Sequence, residues 1–119
     1  MVERDRACLA EALLAPPAAN AALFIAEDEE GEPLGFVNLT TATDYYTNST
    51  TAHIADLVVA PRAGGQGVGT ALVERAEEWA RREGFALLTL NVFSANEQAR
   101  RLYRRLGFAE EWIRCIKRL

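Results

Sequence analysis

Apolar residues recur along the chain in short runs, and the spacing inside each run sets the element it predicts. In residues 2–15, Cys8, Leu9, Ala12 and Leu13 fall on one side of a helix, which Pro16-Pro17 ends. Ala21–Ala26 is apolar throughout and reads as a first strand. Glu27–Pro33 is an acidic turn. Leu34–Thr43 is a second strand with β-branched residues, so an antiparallel hairpin is expected. Asp44–Thr51 is polar and carries the adjacent Tyr45 and Tyr46. It is either an exposed hairpin connection or a loop that shapes a substrate site. Ala52–Ala60 is a third strand. A period of two puts His53, Ala55, Leu57 and Val59 on one face, and Ile54, Asp56 and Val58 on the other. Asp56 inside this apolar strand needs a partner or water, because a carboxylate removed from both is costly.

Beyond Pro61 the period changes from two to that of a helix. In residues 66–83, Val68, Ala71, Leu72, Ala76, Trp79 and Ala80 form the packed stripe, and Gly84 caps the C-terminus. Phe85–Val92 is a mostly apolar strand, as expected of a central one. Strand, helix, strand across residues 54–92 implies a parallel crossover. Ser94 as N-cap with Glu97 as its capping-box partner starts another helix, with Ala99, Leu102, Tyr103 and Leu106 inward and Gly107 at its end. Ala109–Ile116 is a final strand, with Trp112 and Ile113 on opposite faces. The pattern predicts an α/β domain with a mixed sheet and few helices.

The junction between the third strand and the main helix reads Gly64-Gly65-Gln66-Gly67-Val68-Gly69-Thr70. Glycines allow a tight turn, and the unpaired N–H groups of the following helix can face an anion. A plain tight turn fits the same residues. A Walker A loop is excluded, because no Lys follows the last glycine, and a dinucleotide fingerprint fails where Thr70 replaces its third glycine.

Composition narrows the picture. The 119 residues suggest one domain, and half are hydrophobic, enough for a core. Cys8 and Cys115 lie too far apart in sequence to suggest a disulfide framework. No secretory leader or long apolar run is present, so a soluble cytoplasmic protein is expected, without a membrane partner. The single His and the absence of clustered ligands argue against a metal site. The net charge of −4 is unevenly placed: residues 1–60 carry ten acids against Arg4 and Arg6, whereas residues 61–119 carry eleven Arg and Lys against seven acids. An acidic chain is a poor nucleic-acid binder. The basic half suits an anionic ligand at the glycine loop, and the acidic half could attract a cationic partner.

Three features in order resemble the GNAT superfamily of acetyl-CoA-dependent N-acetyltransferases. They are Leu57-Val58-Val59-Ala60-Pro61 running into Gly65–Leu72, Leu88–Val92 followed by Asn96, and Ala99–Phe108. The resemblance is strongest over residues 54–108. It implies a twisted, mixed, mostly antiparallel sheet flanked by helices, with a shortened N-terminus. It also implies acetyl-CoA bound by Leu57, Val58, Val59, Gly64, Gly65, Gln66, Gly67, Val68, Gly69, Thr70, Asn96, Ala99 and Tyr103. Two departures stand out. Gly64 occupies the position where the family's loop usually opens with Arg or Gln, leaving Arg62 as the nearest substitute cation. The N-terminal region is also shorter than usual, so the acceptor side is either open or completed by a second subunit, as in a homodimer.

The resemblance implies direct acetyl transfer to a primary amine. Such an amine has a pKa near about 10.4 and must lose a proton before it attacks. Tyr103 matches the family tyrosine that protonates the leaving sulfur, and a core tyrosine is the plain alternative. Asn96 matches the asparagine that holds the coenzyme arm, and it could equally serve the helix start. His53, whose type titrates near neutrality, is the first candidate base and Asp56 the second. Asp44, Tyr45 and Tyr46 are candidate contacts for the acceptor. A small cationic acceptor is expected from the acidic half. A protein or peptide N-acetyltransferase and a non-catalytic coenzyme A-binding domain are the alternatives.

Overall fold

The computed structural model describes residues 8–11 and 20–119. Five strands form one sheet in sequential order: β1 (Cys8–Glu11), β2 (Ala22–Glu27), β3 (Pro33–Thr43), β4 (Thr50–Val59) and β5 (Leu88–Leu90). The first four are antiparallel neighbours, and β5 joins β4 in parallel. A short 3-10 turn at Pro61–Ala63 leads through the glycine loop into α1 (Val68–Arg82), and α2 (Glu97–Arg105) follows β5. The mixed, mostly antiparallel sheet with flanking helices is the architecture expected from the sequence.

One face of the sheet packs on α1. Cross-strand rows carry Ala22, Leu39 and Ile54, then Phe24, Val37 and Leu57. Against them α1 sets Val68, Leu72, Val73, Ala76, Trp79 and Ala80, all buried. Arg75 lies at the margin of this stripe, its guanidinium 4.2 Å above the Phe24 ring, so its stem and charge both serve the packing. The ion pairs Arg81–Glu77 and Arg82–Glu78 on the outer side of α1 are exposed and contribute little beside the packed stripe.

A β-bulge interrupts the simple period-two reading of β4. Leu39 pairs with Ile54 but Asn38 pairs with Asp56, which leaves Ala55 as one extra residue. The pleat therefore changes phase. Ala52 and Ile54 face the core before the bulge, and Leu57 and Val59 pack against it afterwards. His53, Asp56 and Val58 fall on the opposite face, rather than Ile54 sharing a face with Asp56 and Val58. Asp56 is exposed there and accepts a hydrogen bond from Asn38 Nδ2 at 3.2 Å, which supplies the partner it needed.

Four boundaries differ from the sequence reading. Cys8–Glu11 is a strand paired to β2, where a helix over 2–15 was expected; the rest of that span lies outside the described residues. Pairing to an available sheet edge outweighs a short stretch of helical periodicity. The strand expected over Phe85–Val92 is only Leu88–Leu90, because Phe85 turns back to stack on Trp79, with ring centroids 5.8 Å apart. α2 starts at Glu97 with Asn96 as its cap, so the Ser94 capping box is not made. Ala109–Ile116 forms no strand, and Trp112, Ile113 and Ile116 are exposed. Glu110 ties it to α2 through a bidentate pair from Arg100, at 2.7 and 2.8 Å, which holds the Glu110 carboxyl below its ordinary pKa, and through Arg104 at 3.9 Å.

Gly35 marks the closest approach between β3 and β4. A Cβ there would lie 2.4 Å from the Val58 carbonyl oxygen and 3.2 Å from Val59 Cα, and backbone atoms cannot move aside cheaply. Gly35→Ala is expected to destabilise the fold by about 1–3 kcal/mol. Urea unfolding of the two proteins at equal m-value measures it, and an unchanged midpoint would show that the strands separate freely here.

Candidate active site

Parallel pairing between β4 and β5 lasts only from Ala52 to Ile54 opposite Leu88 to Leu90. Beyond Ile54 the strands part, and a cavity of about 270 Å³ opens between them. Its walls are Ile54–Val58 of β4, Leu90 of β5 with Asn91–Phe93 beyond it, and Asn96, Ala99 and Tyr103 from α2 and its cap. The bulge at Ala55 sits at the fork. On this side β4 has no strand partner past Ile54, so its backbone groups are available to a ligand.

Tyr103 lies on the inner side of α2, half-buried, with its ring edge-on to Phe108 at 5.8 Å. Burial raises its pKa above the ordinary 10.0, so the phenol keeps its proton across the neutral range. Asn96 accepts the Ala99 amide proton on Oδ1 at 3.2 Å. Its Nδ2 makes no bond among the described residues and is free to donate. The residue therefore fills its helix-start role, lines the cavity and keeps a donor uncommitted.

The glycine loop stands beside this cavity. A Cβ at Gly69 would meet Val59 Cγ2 and Leu102 Cδ2, each at 3.6 Å, so the loop touches both β4 and α2 there. Gly65 and Gly67 adopt φ of +77° and +80°, a region that disfavours side chains. Among the described residues no acceptor takes the amides of Gly65, Gly67, Val68, Gly69 or Thr70. The first turn of α1 holds no acidic residue. Free amides, a helix N-terminus and no opposing carboxylate suit a phosphate group.

Arg62 does not replace the side chain missing at Gly64. Its guanidinium donates to the Pro33 carbonyl at 2.9 Å and pairs with Asp28 at 3.6 Å. The Asp28 carboxyl lies below its ordinary pKa, chiefly through the Glu32 amide, with further help from the Glu30 amide and Arg62. Arg62 thus belongs to the turn between β2 and β3.

The remaining candidates are dispersed. Asp56, Leu57 and Val58 line the cavity together with Asn96, Ala99 and Tyr103; Val59 does not. His53 lies on β4 outside the lining, with Nδ1 2.8 Å from Thr89 Oγ1, and burial lowers its pKa below the ordinary 6.5. Asp44 turns the β3–β4 hairpin by accepting the Tyr46 amide proton. Tyr45 and Tyr46 are almost fully exposed at its tip, and neither lines the cavity. The sequence reading did not single out Ile54, Ala55, Asn91, Val92 or Phe93 as lining residues. The one available signal was Asp56, a carboxylate in an apolar strand, which marks the place where the pleat changes phase.

The sheet of this α/β domain thus forks beside an amide-lined helix start, with a phenol at the fork. The profile of the acetyltransferase (GNAT) family matches residues 3–108, and the chain belongs to that family. It is 34% identical over 104 residues to an uncharacterized N-acetyltransferase of Methanocaldococcus jannaschii, a match covering 81% of this chain and 45% of that protein. It is 34% identical over 114 residues to the aminoglycoside N(6')-acetyltransferase type 1 of Klebsiella aerogenes, covering 92% and 74% respectively. A putative acetyl transferase from Pyrococcus furiosus superposes with a TM-score of 0.78 at 30% identity, over 86% of this chain and 68% of that one. The chain thus spans about half the length of the Methanocaldococcus relative. No described helix is long and apolar enough to cross a membrane.

The loop geometry yields a direct test. Gly64 has φ −62° and ψ 139°, which any residue adopts, and a Cβ there would sit 3.3 Å from the Pro61 oxygen. Gly64→Arg is therefore expected to fold and to bind coenzyme A more tightly, by about three- to tenfold for one added charge-assisted contact. Calorimetric titration reads the change; equal affinities would show that the loop amides leave no gap to fill.

Proposed function

We propose that this chain is an N-acetyltransferase that moves an acetyl group from acetyl-CoA directly to the primary amine of a small cationic molecule. The observation that carries the reading is the meeting of Asp56, Asn96 and Tyr103 on one cavity where β4 and β5 part. Acetyl-CoA supplies a thioester that an unprotonated amine can attack, and a thiolate that needs a proton on leaving. The amides of Gly65 and Gly67–Thr70 hold the pyrophosphate, and Asn96 Nδ2 holds the pantetheine arm. Tyr103 Oη gives the proton, and its raised pKa keeps it loaded. The unpaired β4 backbone near Leu57 and Val58 stabilises the charge that develops on the acyl oxygen.

The acceptor side rests on charge. Asp56 is the one charged residue in the cavity lining, and it sits at the fork. It anchors the ammonium of the acceptor, while His53 takes the amine proton, directly or through water. Burial favours neutral imidazole, the form that accepts a proton. The Klebsiella relative is named for aminoglycosides, which are polycationic amino sugars; that and the acidic first half of the chain support a small cationic acceptor over a peptide. The homodimer and cytoplasmic location expected from the sequence belong to the same proposal.

Acetyl-CoA consumption against a panel of amino sugars, polyamines and peptides tests the activity. Tyr103→Phe is expected to lower kcat by about a hundredfold while leaving coenzyme A affinity unchanged. Full turnover at saturating substrates would remove the acid role. No coenzyme A binding by the wild type in calorimetry would remove the enzyme reading.

The pH profile supplies a second prediction. The base must be unprotonated, and the folded pKa of His53 is depressed. Activity is therefore retained above 6.5 and lost as pH falls through a value below 6.5. The acid must be protonated, and the folded pKa of Tyr103 is raised, so its alkaline limb lies above 10.0. A kcat/KM profile measures both, and His53→Ala should abolish the acid limb. An acid limb that persists in His53→Ala would assign it to another group.

A further inference from the structure

Thr51 is the one polar side chain among the described buried residues, at 2% exposure in an otherwise apolar core. Its hydroxyl begins a chain of contacts that ends on His53. Thr51 Oγ1 lies 3.4 Å from the Ala42 carbonyl and 3.3 Å from Thr89 Oγ1. Thr89 Oγ1 lies 3.3 Å from the Ala52 carbonyl and 2.8 Å from His53 Nδ1. The network straddles β3, β4 and β5 at the last paired stretch before the fork.

Proton counting separates the two tautomers of His53. Each hydroxyl has one proton to give, and each carbonyl only accepts. With a proton on Nδ1, His53 donates to Thr89, Thr89 donates to Ala52, and Thr51 donates to Ala42 or Thr89. Three of the four contacts are then hydrogen bonds. With Nδ1 bare, Thr89 must spend its only proton on the imidazole. The Ala52 contact is lost, and two of the four are made. The arrangement that satisfies more polar groups in a buried setting wins.

We infer that Thr89 is a positioning residue: it holds His53 as the Nδ1–H tautomer and so leaves the Nε2 lone pair as the proton acceptor. A neutral histidine side chain in water favours the opposite tautomer, so the hydroxyl changes the form present and does not merely support it. The inference rests on the proposed base role of His53 only for its effect on rate, because the tautomer can be read without any reaction. Thr89 sits on the short strand that also forms the far wall of the cavity, so the two parts of the site share one element.

His53 is the only histidine in the chain, so its ring nitrogens give an unambiguous signal in a two-bond ¹H–¹⁵N spectrum of uniformly labelled protein. Wild type above pH 8 is expected to show Nδ1–H. Thr89→Val, which keeps the shape and removes the hydroxyl, is expected to shift the ring toward Nε2–H, and Thr89→Ser to restore Nδ1–H. In acetyl transfer, Thr89→Val should lose kcat by at least about tenfold, with the KM for acetyl-CoA unchanged, and Thr89→Ser should recover it. Nε2–H in wild type, or an unaltered tautomer in Thr89→Val, overturns the inference. A shifted tautomer with an unaltered rate supports the hydrogen-bond device and overturns the base role of His53.

Discussion

The register shift at Ala55 is the constraint on which the site depends. In β2 and β3 the core-facing rows are two residues apart, at Ala22 and Phe24 and at Leu39 and Val37; in β4 they are three apart, at Ile54 and Leu57. One extra residue lets β4 stay packed on α1 while its direction changes. Without it, either Leu57 and Val59 would leave the core or Ala52 and Ile54 would. The bend also ends the ladder to β5, because a strand held to β3 on one side cannot follow two diverging neighbours. The cavity is thus a consequence of how the sheet satisfies its core. Its unpaired backbone is tolerated because the groups can be met by water or a ligand.

The anion binding proposed for the loop depends on the same economy of local geometry. Amide donors need no titratable group and no ordered long side chain, so the helix start can offer them at little entropic cost. Gly65 and Gly67 hold the required positive φ, and a side chain at either would be strained. Gly64 carries no such requirement. The loop therefore shows where substitution is free and where it is not. The one cation close by in sequence, Arg62, is already committed to Asp28 and Pro33, which fixes the turn between β2 and β3 rather than the ligand.

Much of this was legible in the sequence because local pattern and tertiary packing agree. β2, β3 and α1 have apolar spacings that match their burial, and the glycine loop joins β4 to α1 where the spacing put it. The misreadings occur where a long-range partner decides. Cys8–Glu11 pairs with β2 across separations that run from Glu11 opposite Phe24 to Cys8 opposite Glu27, and no local signal names that partner. Ala109–Ile116 has the composition of a strand, yet composition does not supply a neighbour to pair with. Asn96, not Ser94, caps α2 because its Oδ1 takes the Ala99 amide at 3.2 Å, while the Ser94 carbonyl accepts from Arg100. The phase change in β4 left one trace, the isolated Asp56. Thr89 left none, since its meaning comes from the residue opposite it on another strand.

The charges of the site follow from burial. Tyr103 is kept neutral because its raised pKa opposes ionisation, and His53 because its lowered pKa opposes protonation. Neither adds fixed charge near neutrality. The lining is then left with a single anion, Asp56, at the fork, and the amide-rich helix start carries the opposite partial charge at the loop. In the proposed reading, these opposite charges would draw a cationic acceptor toward Asp56 and an anionic tail toward the loop. For the proposed roles, neutrality is the state that works: an uncharged imidazole can accept the amine proton, and an un-ionised phenol can give one to the leaving sulfur, without first displacing a counterion.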